Sequence, residues 1–194
     1  MPFLAGSPPT HRALLRAATR AAHERVDAKF SRFDLTTRPG YRSFLATHSA
    51  VLPALEATLS RSGAADLLPD WPTRLRAPSL AADLVSIGGT SRMTADGANE
   101  PVDAPAALGM LYVLEGSRLG GAVLAGRVAN NVDADCRGAT RYLRHGERRG
   151  LWASFVAAFD ASEHVRDNPD EVIGGALTAF DLFARATDDA RARP

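Results

Sequence analysis

Apolar residues recur at three- and four-residue intervals along most of the chain, and no stretch alternates cleanly at period two. The first pattern is the buried stripe of an amphipathic helix; the second would mark a strand. Leu15, Ala18, Ala22, Val26, Phe30 and Phe33 make one stripe, which predicts a first helix from a cap at Thr10 to about Phe33. Thr37 with Pro39 starts a second, on which Tyr41, Phe44, Leu45, His48, Leu52, Leu55 and Leu59 share a face as far as Ser62-Gly63. Residues 66–102 are less regular. Trp71-Pro72 and Ala77-Pro78 punctuate them, a short helix is predicted over Leu80–Ile87, and Gly88–Glu100 reads as a polar surface loop. Asp103 with Pro105 opens a third long helix to about Asn130, and Asn131–Gly138 is a turn. Short helices follow over Ala139–Arg144 and Leu151–His164. Asn168-Pro169-Asp170-Glu171 opens the last helix, to about Thr187, with proline at the first position and acids in the first turn. The prediction is an all-α fold in a single domain over 1–194, with a core of about 11–187 and flexible termini.

Composition narrows the function. The chain has 194 residues and a formal net charge of +1, which argues against a nucleic-acid binder. Cys136 is the only cysteine, so neither a disulfide scaffold nor a cysteine-based zinc site is available. The N-terminus has no signal-peptide pattern, and the most apolar stretch, Ala104–Leu114, meets Glu115 and Arg118 well short of the roughly 20 residues a bilayer needs. A cytoplasmic protein with no membrane partner is expected. There is no G-x-S-x-G, no G-x-x-x-x-G-K, no G-x-G-x-x-G and no H-E-x-x-H, so hydrolase, phosphate-loop, dinucleotide and zincin readings lack support.

Two segments carry candidate chemistry. On the first helix, His23 lies among small residues (Ala18, Thr19, Ala21 and Ala22), with Arg16 two turns earlier and Asp27 one turn later. An imidazole with room beside it can ligate iron, and an arginine nearby can hold an anionic substituent of the same ligand. The same spacing also suits an exposed histidine paired with an aspartate at i+4. His48 competes as the histidine on an apolar face, where a buried imidazole with one satisfied hydrogen bond is the simpler reading. His11, His145 and His164 read as exposed or terminal. On the third helix, Gly116, Gly120, Gly121 and Gly126 interrupt an apolar run. Each mid-helix glycine costs about 1 kcal/mol relative to alanine. Either close helix packing or a backbone that touches and bends around a planar ligand explains them. If the ligand is the reason, Gly121→Ala should leave the apo fold as stable or more so while impairing the site. Glu115 and Arg118 read as a solvated or inter-helix ion pair.

Together these segments resemble the heme oxygenases, especially the short bacterial enzymes found with bacteriophytochromes. Leu15-Arg16-Ala17-Ala18-Thr19-Arg20-Ala21-Ala22-His23 is similar to the family's L-[KR]-x-x-T-x-x-x-H segment. Tyr112-Val113-Leu114-Glu115-Gly116-Ser117-Arg118-Leu119-Gly120-Gly121 is similar to the bacterial Y-V-x-E-G-S-x-L-G-G form of the distal helix. A weaker likeness runs from Thr140-Arg141-Tyr142-Leu143 through Gly150-Leu151-Trp152 to Phe155. The resemblance implies a helical bundle with heme between a proximal first helix and a kinked, glycine-rich distal helix. It implies His23 as proximal iron ligand, Arg16 as a propionate contact, and Gly116, Ser117, Gly120 and Gly121 as distal residues. Ser117 stands where many relatives carry an aspartate that anchors water. The later basic propionate contacts of animal relatives fall near Trp152 and Val156, which leaves Arg141, Arg144, Arg148 and Arg149 as alternatives.

The implied activity is oxygen-dependent cleavage of heme, both cofactor and substrate, to biliverdin, iron and carbon monoxide. An external electron donor, a ferredoxin or a reductase, is implied because the chain shows no flavin or nicotinamide motif; a phytochrome is an implied acceptor of biliverdin. Two rivals stand beside this: a non-catalytic heme or bilin carrier, and a thiaminase-like or quinone-cofactor-forming enzyme on the same fold.

Overall fold

The computed structural model describes residues 10–90 and 100–191, and every regular element among them is helical. In chain order these are α1 (His11–Phe30), α2 (Arg38–Ser49), α3 (Leu52–Arg61), α4 (Ala64–Leu67), a 3-10 turn at Trp71–Thr73, α5 (Ala77–Ser86), α6 (Ala104–Val128), α7 (Ala134–Gly138), α8 (Leu151–Ala161), α9 (Glu163–Asp167) and α10 (Pro169–Arg191). Most of the loop expected over Gly88–Glu100, and most of the two ends expected to be flexible, lie outside the described residues.

The predicted starts are made by side chains. Thr10, Thr37 and Asp103 accept hydrogen bonds from the backbone N–H groups of Ala13, Gly40 and Ala106, satisfying donors that the first turn leaves free. Five predictions need correction. The turn expected at Asn131–Gly138 contains a short helix, α7, because Asp133 accepts from the N–H groups of Asp135 and Cys136 and caps it. The long second helix divides into α2 and α3, because Pro53 lacks an N–H and its ring clashes with the carbonyl one turn back. No helix forms over Ala139–Arg144: residues 139 and 140 are irregular and 141–150 are consecutive turns. The helix at Leu151 ends at Ala161, where Ser162 is extended, and α9 follows. The first helix stops at Phe30, and Phe33 still packs against the core from beyond its end.

The centre of the molecule is α10, which packs along both α6 and α1, its two largest interfaces; α1 and α6 share none of comparable size. Two glycines permit the α6–α10 crossing. A Cβ at Gly109 would fall on the Val172 carbonyl oxygen, and one at Gly175 on that of Ala106. The helices therefore meet backbone to backbone. The turn segment after α7 is held by its own turn hydrogen bonds, Arg144 N–H to the Thr140 carbonyl among them, and by bonds from outside itself. The Tyr41 hydroxyl donates to the Ala139 carbonyl, and the Tyr142 N–H donates to buried Asp83 on α5 at 2.8 Å.

Candidate functional site

The two halves of α6 have different surroundings. From Ala107 to Glu115 nearly every residue is buried; from Ser117 onward Leu119, Gly120, Ala122, Val123 and Gly126 are exposed. Leu119 and Val123 are 61% and 69% exposed, so an apolar face remains uncovered along the C-terminal half. The glycines divide by role. A methyl group at Gly120 would meet nothing within 4 Å, and one at Gly116 would touch only the Trp152 ring at 3.6 and 3.8 Å. At Gly121 it would land on the Leu143 carbonyl oxygen. Gly121 therefore serves close packing of the turn segment onto α6, and the expected insensitivity of the apo fold to Gly121→Ala is corrected. The helix itself is continuous from Ala104 to Val128 through all of these glycines.

On α1, Leu15, Thr19 and Ala22 face the core, which turns His23 outward. Its side chain is 59% exposed, Nε2 lies 3.5 Å from Asp27, and the ring sits 5.5 Å from that of Phe180 on α10. Arg16 is exposed on the same helix. Tyr112 on α6 feels the charges of Arg16 and Arg12, which places that arm of α1 beside the start of the distal segment; burial nonetheless pushes the phenol pKa up. Tyr112 packs in turn edge-on against Trp152 and at a tilt against Phe159 of α8.

Beneath the glycine-bearing segment is a buried polar network. Glu115, fully buried, accepts from Arg74 Nη1 at 2.7 Å and from both Nε and Nη2 of Arg118 at 2.9 and 2.8 Å. It is thus neither solvated nor a simple inter-helix pair. Arg74 also donates to Asp70, to the Leu151 carbonyl and to Ser154. Arg76 donates to Ser117 Oγ and to the Leu114 carbonyl, both at 3.0 Å, and lies over the Tyr142 ring. The Ser117 hydroxyl in turn donates a hydrogen bond to the Leu114 carbonyl at 2.7 Å. A buried arginine therefore stands behind Ser117. Glu56 accepts from the Arg76 and Ala77 N–H groups at the start of α5, while burial pushes its carboxyl pKa up.

Arg74, Arg76, Glu56 and Asp83 are not legible as site residues in the chain. Their only trace is charge within an apolar, proline-punctuated stretch. His48 is the buried imidazole expected of it: Nδ1 lies 2.9 Å from the Phe44 carbonyl, Phe30 and Phe44 crowd the ring, and burial holds its pKa down to about 4. His145 was expected to be exposed or terminal but is half-buried, 3.2 Å from Arg118 through Nδ1. His11 and His164 are exposed, as expected.

Known proteins are similar to this chain in sequence and in fold. The family model for heme oxygenase matches residues 10–189. The heme oxygenase PigA of Pseudomonas aeruginosa is 29% identical over 173 residues, covering 87% of each chain. The heme oxygenase of Neisseria meningitidis, solved with NO and CO bound, superposes with a TM-score of 0.77 at 22% identity, covering 95% of this chain and 94% of that one. With a family match that runs from the cap of α1 almost to the end of α10, the chain belongs to the heme oxygenase family.

Proposed function

We propose that the chain binds one heme between α1 and α6 and cleaves it oxidatively to biliverdin, iron and carbon monoxide. The observation that carries the reading is the uncovered face of α6, where Leu119 and Val123 flank a glycine with open space above it. Such a face suits a flat apolar ring. The donor chemistry fits as well: the exposed imidazole of His23 is suited to be a ligand to iron that arrives already chelated.

Heme supplies the oxygen activation, and its own ring is what is oxidised. The chain positions it. His23 holds the iron from the α1 side, with Asp27 beside the imidazole to orient it. Arg16 neutralises a propionate. Gly116 and Gly120 let the α6 backbone lie close to the ring, and Gly121 keeps that backbone pressed to the turn segment. Ser117, held by Arg76, is the polar side chain at the distal position where many relatives have an aspartate. The walls formed by α6 and α8 limit which edge of the ring is exposed to attack. Electrons come from an external ferredoxin or reductase, a phytochrome takes the biliverdin, and the compartment is the cytoplasm; these three rest on the family resemblance.

The test is a hemin titration of the purified chain followed by reductant in air. A 1:1 complex whose heme band decays as biliverdin, ferrous iron and carbon monoxide appear is the expected result. His23→Ala should lose the ferric ligation spectrum and regain it with added imidazole. A wild-type complex that survives reductant and air unchanged would make the protein a heme carrier. Ligation and turnover that persist in His23→Ala but vanish in His48→Ala would move the ligand to His48.

A further inference from the structure

The turn segment 141–150 is pressed against α6, where the Leu143 carbonyl oxygen occupies the place a Cβ of Gly121 would take. Among the described residues, both hydrogen bonds between α6 and the segment run from Arg118 to His145. Nη1 lies 3.2 Å from the ring Nδ1 and 3.3 Å from the backbone carbonyl. Inside the segment, the Arg144, Glu147 and Arg149 N–H groups close turns on the carbonyls of Thr140, Arg144 and Gly146. None of these bonds uses the imidazole. Single turns of this kind are marginal in water, so their shielding depends on docking against α6.

One end of the Arg118–His145 contact cannot yield. The other N–H groups of Arg118 are spent on both oxygens of Glu115 and on the Arg74 carbonyl. A guanidinium only donates, so Nδ1 is the acceptor and the neutral ring carries its proton on Nε2. A second proton has to go to Nδ1, which would set two N–H groups and two positive charges 3.2 Å apart. The other end can move. His145 is half-buried and lines a hollow of about 180 Å³ between α6, the segment and the start of α8, and Glu147 lines the same hollow. Gly146, at φ 75°, gives the backbone a pivot beside it.

The charges facing the ring are mostly positive. Arg118 and Glu115 come from α6, Arg76 from the stretch before α5, and Glu147, Arg148 and Arg149 from the segment itself; α8 adds only Leu151 and Trp152 to the hollow. Glu115 is taken by Arg74 and Arg118, and Glu147 by Arg144. Burial first, then Arg118, Arg76 and Arg149, lower the pKa of the imidazole against the weaker pull of Glu115.

We propose that His145 and Arg118 form a pH-sensitive clasp. With the ring neutral it holds the turn segment on α6; on protonation the ring swings into the hollow toward Glu147 and the segment comes away from Gly121. The fold binds this proton less readily than the unfolded chain does, so the clasp contributes fully above the ordinary histidine value of 6.5 and is lost as pH falls below it. The wall beside the uncovered face of α6 is thereby fixed at neutral pH and released in acid. The device belongs to the chain without ligand and does not rest on the heme reading.

The test is nuclear magnetic resonance of the ligand-free chain, labelled in the histidine rings and backbone amides, from pH 7.5 to 5. His48, with its pKa near 4, stays neutral throughout. Neutral His145 should carry its proton on Nε2. As the ring titrates, the amides of Arg144, Glu147 and Arg149 should lose about tenfold in protection beyond the intrinsic pH dependence of exchange, while Gly109 and Gly175 at the α6–α10 crossing keep theirs. His145→Gln offers Arg118 an oxygen and cannot titrate, so its segment should stay protected over the whole range. His145→Ala offers no acceptor and should exchange about tenfold faster already at pH 7.5. A neutral wild-type ring with its proton on Nδ1 would overturn the clasp without any variant. So would segment protection that is constant in wild type, that is lost together with the crossing, or that falls as far in His145→Gln.

Discussion

At Gly121 a methyl group and the Leu143 carbonyl oxygen compete for one place, whereas at Gly120, one residue earlier, the space is open. Overpacking of this kind costs about 1–3 kcal/mol. The helix-propensity gain of Gly→Ala is at most about 1 kcal/mol. Gly121→Ala should therefore melt below wild type without heme. Gly120→Ala should melt at or above it, yet bind hemin more weakly. Calorimetry of the two apo variants with a hemin titration of each checks this; equal melting temperatures would remove the packing role of Gly121. His48 makes a second residue-scale prediction. Its pKa is near 4 in the fold against an ordinary 6.5, so between those values the unfolded chain takes up a proton that the fold refuses. The stability tied to its neutral form is present above about pH 6.5 and is lost as pH falls toward 4. His48→Gln keeps a donor for the Phe44 carbonyl and cannot titrate. Its loss of unfolding free energy between pH 7 and 4.5, measured in urea, should be smaller than that of wild type by up to about 2 kcal/mol.

Among the elements, α6 and α10 depend on each other most. Their crossing is set by backbone contact at Gly109 and Gly175, where no side chain fits. Gly174, the adjacent residue, faces open space. This gives a contrast within one dipeptide. Gly175→Ala forces the helices apart and should destabilise the chain by about 3 kcal/mol or more, at the top of the overpacking range. Gly174→Ala should be neutral or stabilising by up to about 1 kcal/mol. Chemical denaturation of both variants measures the difference, and similar behaviour would show that the crossing can relax. The polar side of α6 is as constrained as this apolar one. Glu115 joins Arg74, before α5, to Arg118, which reaches the turn segment. Removing one member of such a buried cluster leaves a charge without its partner.

For the whole molecule, α10 is a shared backbone on which α1 and α6 are mounted without a large interface of their own. A ligand lodged between α1 and α6 would couple them. Anything that binds only the folded chain stabilises it by mass action, about 2.7 kcal/mol at one hundred times Kd. For a domain of this size that is a rise of about 5–10 °C in Tm. Saturating hemin should produce such a rise. His23→Ala should show a smaller one, with an unchanged apo Tm because the side chain is more than half exposed and outside the core. An apo Tm that falls with His23→Ala would make the residue structural.

What the chain determines by itself is local or repeats with helical period. The stripe from Leu15 to Phe30 on α1, the caps at Thr10, Thr37 and Asp103, and the proline start of α10 follow from spacing and from hydrogen bonds within one turn. The His23 segment and the glycine-rich segment are legible for the same reason: each lies on one helix. Tertiary structure alone decided which glycine packs and which stays open, because Leu143 meets Gly121 across a gap in sequence that carries no period. It also decided that Arg74 and Arg76, from an irregular stretch, would sit beneath α6. The stretch from Ala139 to Arg144 has the composition of a short helix, yet Tyr41, Asp83 and Arg118 bind the backbone of Ala139, Tyr142 and His145 from other elements. Long-range hydrogen bonds to buried charged groups outweigh a weak local preference, and nothing within ten residues of the segment records them.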